Sequence, residues 1–250
     1  MKKLAILFAF ATLAFAANAQ TADEIVNKYL KAVGGADKWK KLESQSMTGF
    51  VVVQGMNIPY TAVQARPNLS YSAGEFQGNK FIEAFDGTVA WMQNPFAGAA
   101  KPTKKDVEET KEAAKENFED DFIDYASKGH AIELDPKQEE MDGVKCYKVT
   151  LKRKQGDEKI YFFDAENSVP VCVRSFAQMG PAKGQAVEMY LSDYKEVDGL
   201  MIPHTMENKV GGQTQVTIKM EKVELNKAID KTIFTFPDDV KVETPAAKKN

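Results

Sequence analysis

Cysteine and histidine are scarce in this 250-residue chain, with two of each. Cys146 and Cys172 cannot build a disulfide framework, and they lack the paired spacing of a zinc site. His130 and His204 lie far apart in sequence, so no metal centre is expected, and no cofactor. Basic charge is not in excess either: 33 Lys and Arg stand against 36 Asp and Glu, a net charge of −3. Without a basic block the chain has no electrostatic footprint for nucleic acid or for tight adhesion to anionic headgroups. Also missing are a Gly-x-Ser-x-Gly elbow, a His-Glu-x-x-His helix and a phosphate-cradling glycine loop. The acidic pairs Asp120-Asp121 and Glu139-Glu140 sit in polar context with nothing nearby in sequence to raise a carboxyl pKa. The chain therefore reads as a non-enzyme. Past Ala17, nothing approaches the ~20 apolar residues that a spanning helix requires.

The N-terminus does carry a pattern. Lys2 and Lys3 form a charged start, Leu4 to Ala17 an apolar core, and Ala17-Asn18-Ala19 a small-x-small cleavage site. Residues 1–19 are read as an export signal, with the mature chain beginning at Gln20. A lipid-anchored product would carry cysteine at that position, so the expectation is a soluble periplasmic species, with secretion as the alternative. Residues 20–244 then form one domain, and 245–250 a frayed tail.

Thr21 and Glu24 form a capping box for a short helix whose apolar face is Ile25, Val26, Tyr29, Leu30 and Val33; Gly34-Gly35 ends it. A meander follows: Phe50 to Val53, Ile58 to Arg66, Leu69 to Phe76, Lys80 to Phe85 and Val89 to Gln93. Asp86-Gly87 reads as a two-residue type I′ hairpin, and Pro95 leaves Ala97 to Ala100 in a loop. The texture changes between Thr103 and Lys128. Thr103 with Asp106 predicts a helix cap, the pairs Lys104–Glu108 and Lys105–Glu109 support a helix, and Gly129 stops it. Its apolar stripe is thin: Val107, Ala114, Phe118, Phe122, Ile123 and Tyr125. Strands return at His130 to Leu134, Val144 to Arg153, Glu158 to Phe163, Val169 to Phe176, Gln185 to Tyr194, Met201 to Lys209 and Gln213 to Val223. Asp142-Gly143, Gly156-Asp157, Asp198-Gly199 and Gly211-Gly212 mark tight turns, and Ile233 to Pro237 packs a last apolar segment. The fold class is mainly β: one curved antiparallel sheet of about a dozen strands, forming an unclosed barrel with an N-terminal helix and a helical lid.

Period-two alternation gives several strands one apolar face. Tyr147, Val149 and Leu151 share a side, as do Val187, Met189 and Leu191, and Val216, Ile218 and Met220. Two helical segments are thin cover for so many strands. Either the sheet closes on a packed core or it encloses a cavity for an apolar guest. His204 falls on the apolar side with Ile202 and Met206, and reads first as a core histidine bonded to a backbone carbonyl. His130 reads as solvated. Cys146 and Cys172 fall on the polar side of second-neighbour strands about 9.5 Å apart, too far for a bridge, so two free thiols are expected.

Arg66-Pro67-Asn68-Leu69, then Asp86-Gly87-Thr88-Val89-Ala90-Trp91, then Asn94-Pro95-Phe96 form an ordered set that resembles the LolA-type periplasmic lipoprotein carriers. The resemblance implies an open barrel whose apolar interior binds acyl chains under a helical lid and escorts a lipoprotein or lipid towards the outer membrane. It implies as partners an inner-membrane release complex and an outer-membrane acceptor, with the carrier itself a monomer. It also implies that Arg66 bonds the lid and holds the cavity shut; without the resemblance, Arg66 is a solvated strand-end residue. Under this reading the ligand is lined by Arg66, Leu69, Trp91, Phe96, Phe118, Phe122, Val149, Met189, Leu191, His204, Val216 and Ile218. Trp91 and Phe96 serve equally well as rim residues or as plugs of a barrel end. The alternative function is an envelope sensor of the RseB type, which detects lipids or mislocalised lipoproteins.

Overall fold

A computed structural model describes residues 20–180 and 182–239; the expected signal segment 1–19 and tail 245–250 lie outside them. The described chain opens with helices α1 (Ala22–Ala32) and α2 (Ala36–Lys40). Thr21 caps α1 as its sequence predicts: its hydroxyl accepts the Glu24 N–H, and the Glu24 carboxylate receives the Thr21 N–H. Gly34, at φ +106°, makes the turn out of α1 where a Cβ would stand 2.3 Å from the Gly199 carbonyl oxygen, so only glycine fits.

Fourteen strands follow. The first group is β1 (Ser44–Val53), β2 (Met56–Ala65), β3 (Leu69–Phe76), β4 (Asn79–Phe85), β5 (Ala90–Asn94) and β6 (Ala99–Lys104). After α3 (Val107–Lys115) come β7 (Ala131–Leu134), β8 (Glu139–Met141), β9 (Val144–Lys152), β10 (Glu158–Asp164), β11 (Pro170–Phe176), β12 (Ala186–Val197), β13 (Leu200–Val210) and β14 (Gln213–Leu225). All belong to one antiparallel sheet, ordered β6-β5-β4-β3-β2-β1-β14-β13-β12-β11-β10-β9-β7, with β8 pairing β9 beside that path. The sheet is not closed. Its two edge strands, β6 and β7, are consecutive in sequence, so residues 105–130 form the crossover that spans the gap between the edges.

Turn chemistry sets the hairpins. Asp142-Gly143, Asp198-Gly199 and Gly211-Gly212 each link directly paired residues with both φ values positive, as a type I′ turn requires. Asp86-Gly87 departs from that expectation. Phe85 pairs with Ala90, leaving four residues in the connection. Gly87 alone takes a positive φ, while the Asp86 carboxylate accepts the Thr88 and Val89 N–H groups at 2.8 and 2.7 Å. The side chain organises the turn there.

The predicted helix over Thr103–Lys128 is mostly something else. Thr103 and Lys104 pair with Met92 and Trp91 in β6, so their backbone is committed to the ladder and Thr103 cannot cap a helix. The expected loop Ala97–Ala100 shrinks to a 3₁₀ turn, Pro95–Ala97, and the start of that strand. The helix is limited to α3, whose capping box is Asp106 with Glu109. From Glu116 to Gly129 the crossover runs through turns.

Both faces of the sheet carry packed residues. On the concave face, Ile25, Val26 and Tyr29 of α1 pack with Phe122, Val149, Leu151 and Phe163. Leu42, Met47, Ala62, Leu200, Ile202 and Met220 form a second cluster there. On the convex face, Val63 and Ala65 lie under Phe234, in the 3₁₀ turn Lys231–Phe234. Cys146 and Cys172 are free thiols on the convex face. They are fully buried, packed with Met141 and Phe162, and burial pushes their pKa values up to about 11 and about 12.

Candidate functional site

Ladder register carries two apolar rows across the concave face. In the first, Val149 lies opposite Tyr161, then Val173, Met189, Asn208 and Val216 in successive strands. In the second, Leu191 lies opposite Met206, then Ile218, Val51 and Ile58. Each row follows from the period-two alternation read strand by strand. Cover is uneven along them. Val149 is 0 % exposed beneath α1, whereas Met189 is 37 % exposed. Two cavities open along them. One of about 510 Å³ lies between α3 and the floor of Tyr161, Val173, Val187 and Met189. The other, about 390 Å³, is bounded by Val51, Val53, Ile58, Phe76 and Phe81 with Met56 and Phe96 at its rim. A third space of about 600 Å³ opens between β11 and β12 against Leu191, Tyr190 and Pro170, where the strands diverge past the Cys172–Tyr190 pair. These sizes suit small-molecule or single-chain ligands.

Two arginines fasten the crossover. Arg66 follows β2, beside the end of α2. Its Nε donates to the Leu42 carbonyl at 2.8 Å, and Nη2 to those of Trp39 and Lys40 at 3.1 Å each. Nη2 also meets the Glu119 carboxylate at 2.8 Å, and the guanidinium stands 5.7 Å from the Phe118 ring centroid. The resemblance implies bonds from Arg66 to the lid backbone; instead it satisfies carbonyls left over at a helix end and reaches the crossover through a carboxylate. Burial pulls the Glu119 carboxyl up, but Lys128 and Arg66 outweigh it and hold its pKa below the usual carboxylate range.

Asn68 Nδ2 reaches the Ala114 carbonyl of the crossover at 3.4 Å, and the stronger backbone bond comes from Arg153, at the end of β9, a position without a distinctive signal beyond its spacing to Asp157 around a glycine turn. Its side chain is 2 % exposed. Nη1 donates to the Lys115 carbonyl at 2.8 Å, Nη2 to Glu116 at 3.3 Å, and Nε to Asp157 at 2.9 Å, with Asp121 3.5 Å away. Asp120 overturns its expectation too. It lies within the crossover, half-buried against α1, and accepts the Tyr29 hydroxyl, and desolvation raises its pKa despite that bond. Burial likewise raises the Tyr29 and Tyr161 hydroxyls well above the ordinary tyrosine range. The polar context was local in sequence only.

The structure separates the expected ligand residues into three groups. Met189, Leu191, Val216 and Ile218 lie half-buried or exposed on the concave rows, and Phe96, 61 % exposed, stands at the rim against Phe76. Phe122 and Val149 are fully buried in the α1 cluster and Phe118 packs against the second cluster beside Arg66, so these fill the interior rather than line a free surface. Leu69 and Trp91 belong to the opposite face. Leu69 packs with Phe234, and the Trp91 indole N–H donates to the Phe234 carbonyl at 2.7 Å. The alternation of β3 and β5 defines two faces, and the C-terminal turn covers the one that holds Leu69 and Trp91. His204 is buried with Nδ1 3.0 Å from the Ile202 carbonyl oxygen, as a core histidine should be, and His130 Nδ1 accepts the Lys154 N–H at 3.1 Å. No cluster of three metal-ligating side chains occurs among the described residues.

A family model described as an uncharacterized protein matches residues 119–237. No curated protein matches the chain. Among solved structures, the LolA superfamily protein NE2245 from Nitrosomonas europaea is 14 % identical, with 87 % of this chain matched to 98 % of that one at a TM-score of 0.53. A putative outer membrane lipoprotein-sorting protein domain from Vibrio parahaemolyticus is 10 % identical over 84 % of this chain and 97 % of its own, at 0.48. The MucA/MucB complex of Pseudomonas aeruginosa matches at 11 % identity over 84 % of this chain and 60 % of that one, at 0.27. Identities this low speak of architecture alone, and the NE2245 match runs over nearly the whole of both chains: this protein has the fold of the LolA superfamily.

Proposed function

We propose that the protein is a non-enzymatic carrier that holds the acyl chains of a lipoprotein or lipid on its concave face. The observation that supports this reading is the pair of apolar rows on the concave face, the first running from beneath α1 to the cavity against α3 and the second ending in the cavity bounded by Phe76 and Phe81. An apolar surface of this kind gains by burial against a hydrocarbon chain, ~25 cal/mol per Å². Methionines at Met189 and Met206 add polarizable side chains that adapt to different chains. The N-terminal signal pattern supports a periplasmic site of action, and the carrier would act as a monomer, loaded at an inner-membrane release complex and emptied at an outer-membrane acceptor.

A fluorescent fatty-acid analogue tests the reading. It should bind the wild-type protein and be displaced by lipid extracts, and Ile218→Asp or Leu191→Asp should abolish binding by placing a charge in apolar surroundings. Far-UV dichroism must remain native for the comparison to count. Natively folded variants that retain full binding would remove the cavity assignment.

A further inference from the structure

The hairpin tips at one end of β1 to β6 lie side by side. Met56 follows the β1–β2 turn, Phe76 precedes the β3–β4 turn, and Phe96 sits in the 3₁₀ turn Pro95–Ala97 between β5 and β6. Met56 is 41 % and Phe96 61 % exposed, two of the five large apolar side chains that stand exposed among the described residues. The Phe76 and Phe96 ring centroids are 6.2 Å apart. Local chemistry holds Phe96 outward: Pro95 starts the turn, the Asn94 carboxamide oxygen accepts the Phe96 N–H at 3.0 Å, and Gly98 ends it at φ +85°. Residues 54–57, 76–79 and 94–100 contain no charge, in a chain that is 28 % charged. Other turns are not like this. Arg66 and Asp86 stand in the turns at the opposite ends of β2 to β5, and Arg153, Lys154 and Asp157 in the β9–β10 turn. The nearest flanking charges, Glu75 and Lys80, face each other across the β3–β4 ladder. Directly behind the tips lies the 390 Å³ cavity, with Met56 and Phe96 at its rim.

We infer that these three tips are a docking surface for a lipid bilayer: Met56, Phe76 and Phe96 enter its interfacial layer and set the mouth of the 390 Å³ cavity against it. The inference rests on the carrier reading and adds the place where cargo passes between lipid and protein. A charged turn resists leaving water, whereas an apolar tip bordered by Gln, Asn and Gly does not carry that penalty. Size decides against a protein partner. Six strands span about 24 Å and a sheet is about 10 Å thick, so the tips present roughly a third of the ~800 Å² that each partner gives to a stable protein interface. Side chains that enter lipid one by one gain by burial without needing a matched surface of that extent. Because the tips carry no cluster of Lys or Arg, the attraction does not depend on anionic headgroups, in keeping with a chain that has no basic block.

Flotation with phosphatidylcholine vesicles, alone or mixed with phosphatidylglycerol, tests the surface. The wild-type protein should associate with both kinds equally, and high salt should not release it. Phe96→Asp should weaken association at least about tenfold. Thr88→Asp, in the β4–β5 turn at the opposite end, should change nothing. Both positions are exposed, so the fold tolerates either change. Depth is read separately: emission from Phe96→Trp should be quenched by lipids brominated on the acyl chain, and emission from Thr88→Trp should gain no such quenching over the wild-type protein. Association that high salt abolishes, or that Phe96→Asp leaves intact, overturns the docking surface. A protein that binds the fatty-acid analogue but never floats with vesicles also overturns it and leaves the carrier reading standing. Flotation through Phe96 without binding of the analogue supports the surface and removes the carrier reading. A concentration-dependent dimer that Phe96→Asp dissolves, with no flotation, overturns the lipid assignment in favour of a second copy of the chain.

Discussion

Two positions of the first apolar row are made from the same alternating strand pattern and meet opposite fates. Val149 ends the row beneath α1 and is fully buried, while Met189, three strands away on the same face, is more than a third exposed. Nothing in β9 or β12 alone dictates that difference. It is set by α1 and Phe122, which reach the first strands and not the others. Apolar alternation specifies a surface to be covered; the covering element decides whether the surface becomes core or groove.

Truncating one residue at the covered position and one at the open position is the most severe test of that contrast. Phe122→Ala should cost about 3–5 kcal/mol in chemical denaturation, as large aromatic deletions in packed interiors do. Met189→Ala should stay within about 0.5 kcal/mol, while still weakening binding of the fatty-acid analogue. Similar costs at the two sites would mean that the row is packed throughout.

The fastening of the crossover comes next in size. Arg66→Leu removes one ion pair and three carbonyl bonds at a partly exposed position, a loss of about 1–3 kcal/mol. Hydrogen exchange of amides 105–130 should accelerate, with amides in β9 and β10 unaffected. Uniform exchange in both proteins would show that Arg153 and the Phe122 anchor hold the crossover unaided.

The smallest effect concerns acid. Glu119 has a folded pKa below its ordinary value of 4.5, so its contribution is fully present above that value and is lost as pH falls through the folded one. Asp120 works in the opposite direction: its raised pKa favours the folded state when protonated, and that contribution is lost as pH rises through the folded value. Loss of the Glu119 contribution should lower crossover protection below the ordinary carboxylate range, so relative to wild type Glu119→Gln should flatten that acid limb and leave the opposite trend of Asp120. An unchanged acid limb in the variant would assign the step to another group.

The strands and most turns were legible because period-two alternation and φ-positive dipeptides are local signals. Val149 and Leu151 declare a face, and Asp198-Gly199 declares a hairpin. The failures share a cause as well. Strand β6, Ala-Ala-Lys-Pro-Thr-Lys, has no apolar alternation and exists because Trp91 and Met92 offer a ladder to pair with. Trp91, open in the sequence between rim and plug, lies on the face away from the groove because the residue that covers it, Phe234, is 143 positions away. Arg153 carries no local signal because each group it holds in the crossover is remote in sequence, with Asp157 its one local partner. The candidate groove was readable as a set of faces, and its open end was not, since exposure depends on where two short helices happen to end.

The order of the strands also bears on how the molecule assembles. Nearly every ladder joins near neighbours in sequence, so two half-sheets, β1 to β6 and β7 to β14, can form from local pairing that closes only short loops. A single ladder, β1 with β14, joins the halves by pairing Gln45 with Leu225. That step comes late for a chain emerging N-terminus first, because the partner of the first strand is the last one made. Until then β1 presents an unpaired edge, the kind of surface that recruits other chains. The last strand thus acts as a completion check. A chain cut before Gln213 would leave two independent half-sheets with unprotected edges, and the concave face that both halves share would never come together.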